Sequence, residues 1–190
     1  ATPAPTPRTL MEGIAPMPIA SSYITYYAIQ TDGTLIGWGE NLRGLINYPD
    51  SLPSYEGAVV MMEDVAAVYA GDWVTLILCS DGTLWGVGSG LFGLLPERAA
   101  SQDAYDPLFL MSDVVMAAVS SESACALRSD GTVWSWGGSE GFQPEQILEG
   151  IVKIAAYSSG HYALDIDGTL YIWGSLLPLE VDRNECWLTP

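Results

Sequence analysis

Positive charge is what this chain most lacks. Its 190 residues hold six Lys and Arg against 23 Asp and Glu, a formal net charge of −17 at pH 7. Nucleic-acid affinity rests on clustered Lys and Arg that release counterions from phosphates, so no nucleic-acid partner is expected, and docking on anionic lipid is equally disfavoured. Charge of either sign is scarce, at 15% of residues against a norm of about 25%. A fold with so few charges must cover its apolar surface internally or against a partner. No run of 18 apolar residues occurs, which excludes a membrane-spanning helix. The three cysteines, Cys79, Cys125 and Cys186, show no CxxC pairing, so neither a structural zinc nor any other metal or cofactor is expected. Cys79 and Cys125 sit in apolar stretches and read as small buried hydrophobes. Histidine is reduced to His161. With Ser159 and Asp165 near it but no nucleophile elbow, phosphate loop or zinc helix motif anywhere, no catalytic residue is assigned and a non-enzymatic chain is expected.

What is present is repetition. Asp-Gly-Thr occurs at Asp32-Gly33-Thr34, Asp81-Gly82-Thr83, Asp130-Gly131-Thr132 and Asp167-Gly168-Thr169. Three residues before each Asp stand Ile29, Leu78, Leu127 and Leu164. Four after it stand Ile36, Trp85, Trp134 and Tyr171; six after, Trp38, Val87, Trp136 and Trp173; seven after, always Gly. Asp-Gly between apolar runs predicts a hairpin with a two-residue type I′ turn, which makes the four Asp turn formers. Before each hairpin lies another apolar run: Val65–Ala70, Val114–Val119, Ile151–Ala156 and, interrupted by Pro16 and Pro18 as on an edge or bulge, Ile14–Ala20. A further short strand follows at Ala58–Met61, Pro107–Leu110, Pro144–Leu148 and Pro178–Val181.

Each repeat therefore predicts about four short antiparallel strands. The outgoing hairpin strand carries large apolar residues at consecutive positions, as in Leu84-Trp85 and Val133-Trp134. Neighbouring strand residues point to opposite faces, so these sheets are buried on both sides. Tandem four-stranded sheets of that kind define an all-β fold, a β-propeller-type array of about four blades. Gly37, Gly86 and Ser135 are expected to let neighbouring blades approach closely, and the Trp residues to pack between blades. Residues 1–7 (Ala1 to Pro7) read as a Pro/Thr-rich spacer and 8–190 as the propeller domain, with repeats at roughly 14–63, 64–112, 113–150 and 151–190. A spacer on a chain that opens with Ala1 in place of Met suits removal of a signal peptide, although a cloning boundary looks the same; an extracellular or cell-surface location is expected.

The run Asp64-Val65-Ala66-Ala67-Val68, then Gly71, then Leu76-Ile77-Leu78-Cys79-Ser80-Asp81-Gly82-Thr83-Leu84-Trp85 resembles the repeat of the regulator-of-chromosome-condensation family. Gly37-Trp38-Gly39-Glu40-Asn41-Leu42-Arg43-Gly44 resembles that family's Trp-Gly-x-Asn-x-x-Gly signature. The sequence departs from the pattern where the usual His, seven residues before Asp, becomes Thr25, Val74, Ser123 or Gly160. The Gly-Gln-Leu-Gly stretch becomes Gly44-Leu45-Ile46-Asn47 and Gly93-Leu94-Leu95-Pro96. The resemblance implies a propeller that works mainly by binding other proteins. The family's ring usually has seven blades and this chain supplies four, so an incomplete ring, completed by a second copy in a homodimer, is expected. The segment Pro7–Ile14 matches Pro144–Ile151 in pattern and is a candidate strand for completing the last blade.

The repeats differ mainly in one connection, which is long in the first two (Glu40–Tyr55 and Ser89–Asp106) and short in the others. Insertions at one repeat position emerge on one rim, so these loops are the expected binding surface. Their candidate residues are Leu42, Arg43, Tyr48, Tyr55, Leu91, Phe92 and Tyr105, with Arg98 beside them; aromatic and Arg side chains of this kind make interface hot spots. The expected function is a protein-binding module whose acidic surface steers towards a basic patch on its partner. The alternatives are a glycan- or cell-wall-associated domain, possibly hydrolytic, and a guanine-nucleotide exchange factor by fold analogy alone.

Overall fold

Each Asp-Gly-Thr copy closes the central hairpin of one antiparallel sheet. A computed structural model of the chain describes residues 14–22, 24–41, 44–46, 54–96, 103–138, 142–158 and 160–174; for 14–18, 54–56 and 103–105 it describes the backbone alone. Blade 1 runs β1 (Ile14–Ser22), β2 (Thr25–Gln30), β3 (Leu35–Glu40), β4 (Ser54–Met62). Blade 2 runs β5 (Val65–Ala70), β6 (Val74–Cys79), β7 (Leu84–Ser89), β8 (Asp103–Met111). Blade 3 runs β9 (Val114–Val119), β10 (Ser123–Arg128), β11 (Val133–Gly137), β12 (Glu145–Leu148). Blade 4 shows β13 (Ile151–Tyr157), β14 (Gly160–Asp165) and β15 (Leu170–Gly174). Strands within a sheet pair in chain order, each a meander from inner to outer edge. The expected fourth strand of blade 4 (Pro178–Val181), the matching segment 7–13, the spacer and Cys186 lie outside the described residues. In β1 the pairing with β2 breaks register between Ile14 and Ile19, where Pro16 and Pro18 fall; a bulged edge strand tolerates the missing N–H groups.

The blades have no cores of their own; the apolar clusters lie between them. Tyr27, Ile29 and Leu35 of blade 1 meet Val65, Val68 and Ile77 of blade 2. Leu76, Leu78 and Leu84 of blade 2 meet Val114, Ala124 and Trp136 of blade 3. Cys125, Leu127 and Val133 of blade 3 meet Ile151, Ile154 and Ala163 of blade 4. Alternate strand residues thus serve opposite interfaces, as the doubly apolar strands required, and the array is an all-β propeller of successive blades. The small positions behave differently from expectation. A Cβ on Gly37 would meet Met61 Sδ at 2.7 Å and Ile46 at 3.5 Å, and one on Gly86 would meet Leu95 Cδ2 at 2.5 Å. The space is filled by the repeat's own outer strand and connection, which are folded down between blades, and not by direct approach of the neighbouring sheet.

The turns also correct the expectation. Gly33, Gly82, Gly131 and Gly168 have φ between 82° and 89°, but none of the preceding Asp residues has a positive φ. Gly33 N–H donates to the Gln30 carbonyl at 3.0 Å and Gln30 N–H to the Thr34 carbonyl at 2.8 Å, so Thr31, Asp32 and Gly33 form a three-residue loop, a type I turn followed by a left-handed Gly. The other three repeats share both bonds. Asp acts through its side chain: Asp81 Oδ1 accepts from Thr83 N–H (2.9 Å) and Thr83 Oγ1 (2.7 Å), and Thr83 Oγ1 accepts from Trp85 Nε1 at 2.9 Å. Asp130, Thr132 and Trp134 repeat that chain. In blade 4, where Tyr171 replaces Trp, Asp165 takes over and accepts from Thr169 N–H and Tyr171 Oη.

Each turn also fixes the next blade. The carbonyls of Gly33, Gly82 and Gly131 accept the N–H groups of Val65, Val114 and Ile151, the first residues of the following inner strands, at 2.9–3.0 Å. At the opposite end, the Gly seven residues after Asp has no substitute: a Cβ on Gly39, Gly88 or Gly137 would stand 2.2, 2.5 or 2.6 Å from the Ile24, Trp73 or Glu122 carbonyl oxygen.

Candidate binding surface

The hairpins between first and second strands and the connections between third and fourth strands all emerge at one end of the array, opposite the Asp-Gly turns. This rim is where the described parts of the long connections sit. β4 and β8 begin four residues earlier than expected, because each pairs through a bulge: Gly37 faces Val59 but Gly39 faces Tyr55, and Gly86 faces Leu108 but Gly88 faces Ala104. Tyr55 and Tyr105 therefore belong to strands and not to loops. Leu42, Arg43, Tyr48 and Arg98 lie outside the described residues. Leu91 and Phe92 are described, in a short 3₁₀ turn (Leu91–Gly93), and both are exposed.

That turn is shaped from both sides. Ser89 Oγ receives the Leu91 N–H at 3.4 Å. Phe92 takes φ 59° and ψ 23°, a left-handed conformation that costs a side-chain-bearing residue on the order of 1 kcal/mol or more. Its ring meets Trp73 edge-on, centroids 5.5 Å apart. Trp73 belongs to the neighbouring hairpin turn of the same blade and is itself half-buried against the blade 2–3 cluster. Beyond the turn the chain dives: Leu94 and Leu95 are buried, as are Leu45 and Ile46 in the first repeat. Their carbonyls serve aromatic donors, Leu94 taking Trp136 Nε1 at 3.0 Å and Leu45 taking Tyr27 Oη at 3.0 Å. Asn41 Oδ1 holds the Ile46 N–H at 2.9 Å. The rim thus presents Leu91 and Phe92 on a rigid base.

A second concavity, of about 430 Å³, lies on the outer wall where blades 2 and 3 meet, lined by Phe109, Met111, Arg128, Trp134, Phe142 and Pro144. Arg128 lies 5.8 Å from the centroid of the Trp134 ring and donates from Nη2 to Asp113 Oδ2 at 2.8 Å. Trp85 meets Phe109 edge-on at 5.6 Å. A third, between the inner strands, is lined by small and apolar residues such as Ala117, Ala118, Ile154 and Ala155. No group of three or more His, Cys, Asp and Glu fit to hold a metal occurs among the described residues, and no described helix is long and apolar enough to cross a membrane.

The blade 3–4 interface brings together side chains that catalysis could use. Ser123 Oγ lies 2.9 Å from His161 Nε2, Cys125 Sγ lies 3.4 Å from His161 Nδ1, and Trp173 stacks on the imidazole at 5.3 Å. Sequence reading places His161 with Ser159 and Asp165; its polar contacts, to Ser123 and Cys125, instead cross the blade boundary. Burial holds the imidazole down to about 4 and pushes the Cys125 thiol up. A thiolate–imidazolium pair requires the reverse of both shifts, and both residues are closed to solvent. The trio is an interface contact.

No family model and no curated protein matches the chain in sequence. Solved structures match its fold. Human WBSCR16 shares it at a TM-score of 0.70 and 19% identity, covering 82% of this chain and 46% of its own. Prp20p from Saccharomyces cerevisiae does so at 0.72 and 19%, covering 83% and 44%. Yeast RCC1 (Prp20) bound to Kap60 gives 0.72 at 16%, covering 88% and 45%. The fold is that of an RCC1-like β-propeller, and this chain spans less than half the length of each of these three structures.

Proposed function

We propose that the chain is a non-enzymatic protein-binding module whose partner docks on the rim that carries the two long connections. The observation that carries the reading is the Leu91–Phe92 turn: two exposed apolar side chains, one held in a left-handed backbone, supported from beneath by Trp73. Exposed aromatic anchors on rigid supports are what interface hot spots require. The net charge of −17 favours a partner with a basic patch and speeds its encounter. The matched fold fits a binding role: Prp20p is described with binding properties to Gsp1p and histones, and in complex with Kap60. At 16–19% identity that likeness transfers the fold alone, so neither those partners nor nucleotide exchange is carried over with it.

The test substitutes Leu91→Ser together with Phe92→Gly. Gly accepts the left-handed backbone freely, so the melting temperature is expected to stay within a few degrees. Cross-linking with mass spectrometry should then lose one defined basic-surfaced protein that the unsubstituted chain captures. Unchanged capture, or binding of an oligosaccharide array with no protein captured, overturns the proposal.

A further inference from the structure

The three internal interfaces follow one rule of position, and the two ends of the array carry its unmatched halves. On the face of each blade turned to the next, the residue three after the Asp-Gly-Thr Asp is Leu35, Leu84, Val133 or Leu170. The first three are 0% exposed; Leu170 is 64% exposed. On the opposite face, the residue six before that Asp is Tyr26, Thr75, Ala124 or His161. The last three are 0% exposed; Tyr26, in blade 1, is 42% exposed. The turns agree. A Cβ on Gly33, Gly82 or Gly131 meets backbone of the next blade at 3.5–3.6 Å, whereas one on Gly168 finds nothing within 4 Å. None of the three clusters joins blade 4 to blade 1, so the described array is an open arc.

Both free faces keep interface chemistry. On blade 1, Tyr26 stacks on Trp38 at 5.8 Å, and with Ile19, Ala20 and Ser21 they line a groove of about 330 Å³. Trp136 and Trp173, at the position of Trp38, each donate from Nε1 to the preceding blade, to the Leu94 carbonyl and to Ser135 Oγ. On blade 4, Tyr162 holds the position of Tyr27, whose Oη accepts from Thr75 of the following blade at 2.7 Å. The two faces therefore carry the two halves of the repeat's interface, with Tyr162 set opposite Tyr26 where the internal pair sets Tyr27 against Thr75.

We infer that the free face of blade 4 docks on the free face of blade 1 of a second copy, head to tail, with Tyr162 and Leu170 seated against the partner's blade 1 as Tyr27 and Leu35 are against blade 2. A heterologous contact of this kind closes when the rotation permits, and two four-bladed arcs make eight blades, within the range that propellers adopt. This surface is separate from the rim, so its failure leaves the proposed binding function standing.

Light scattering on the full chain over a concentration series tests it. The expected particle has twice the 20.4 kDa chain mass. Tyr26→Glu and Leu170→Glu, each at an exposed site, should each weaken association at least tenfold while the circular dichroism spectrum stays native and the melting temperature falls only by the share that association contributes. An equimolar mixture of the two variants should recover a pair, because each retains the face the other has lost. A monomer at hundreds of micromolar, covered by its own terminal segments or by nothing, overturns the inference. So does a dimer indifferent to both substitutions, or one lost with Tyr26→Glu alone and not recovered on mixing, which marks a face-to-face pair.

Discussion

The blade 2–3 and blade 3–4 interfaces occupy the same repeat positions with different chemistry. Between blades 2 and 3, Leu76, Leu78, Leu84, Leu94 and Leu95 surround Trp136, and the long connection after β7 supplies two of those leucines. Between blades 3 and 4 the connection after β11 is short, and none of its described residues joins the cluster there. There Cys125 stands for Leu76 and Ser135 for Gly86; Ser135 Oγ donates to the Ala124 carbonyl at 3.2 Å and accepts Trp173 Nε1 at 3.3 Å. Across it sits His161, whose Nε2 lies 2.9 Å from Ser123 Oγ of blade 3. An apolar interface is indifferent to pH and tolerant of shape. A hydrogen-bonded one demands that every member keep its partner.

The largest expected effect is on the leucine side. Leu76→Ala should cost about 2–5 kcal/mol, since Leu76 is fully buried and the cavity closes only in part; urea unfolding measures it, and a cost below about 1 kcal/mol would show that the interface repacks. On the polar side the effect is pH-dependent. The folded His161 protonates near 4 and the unfolded one near its ordinary value of about 6.5. Only the unfolded chain takes up that proton between those values. The stability from neutral His161 is thus complete above about pH 6.5 and declines as pH falls towards 4, by at most about 3 kcal/mol. His161→Gln should flatten that slope; an unchanged slope would place the acid sensitivity elsewhere. The turn carboxylates Asp32, Asp81, Asp130 and Asp165, held below the usual carboxylate range chiefly by hydrogen bonds from Thr, lose their share only at lower pH. Thr83→Val, which breaks the Asp81–Thr83–Trp85 chain, should cost about 1 kcal/mol. Smallest is Arg128→Met: a half-exposed ion pair with Asp113 is worth about 0–1 kcal/mol and fades with added salt.

The periods of 49, 49 and 37 residues made the blades legible, because each side chain's position relative to Asp-Gly-Thr fixes the interface it serves. The Asp-Gly pair does not by itself disclose the turn type. Asp sits at the last αR position before a left-handed Gly, and only the hydrogen bonds of the flanking residues distinguish this from a two-residue turn. The buried connections were hidden for another reason: Gly44-Leu45-Ile46 and Gly93-Leu94-Leu95 read as worn motif, although two consecutive large apolar residues after a Gly were the available signal. The Ser123–Cys125–His161 contact joins residues 36 and 38 apart and follows from the repeat frame, which sets seven and five before one Asp against six before the next. Composition and loop length single out Leu91 and Phe92, which the structure leaves exposed, but not Trp73 beneath them, because it belongs to a different turn.

The bond from the Gly33, Gly82 or Gly131 carbonyl to the first N–H of the following blade is made entirely of main chain. Side-chain replacement cannot delete it short of proline on the donor side. Blade spacing is therefore insulated from drift at the contacts around it, so one interface in this array could turn from leucine to histidine and serine without changing the pitch.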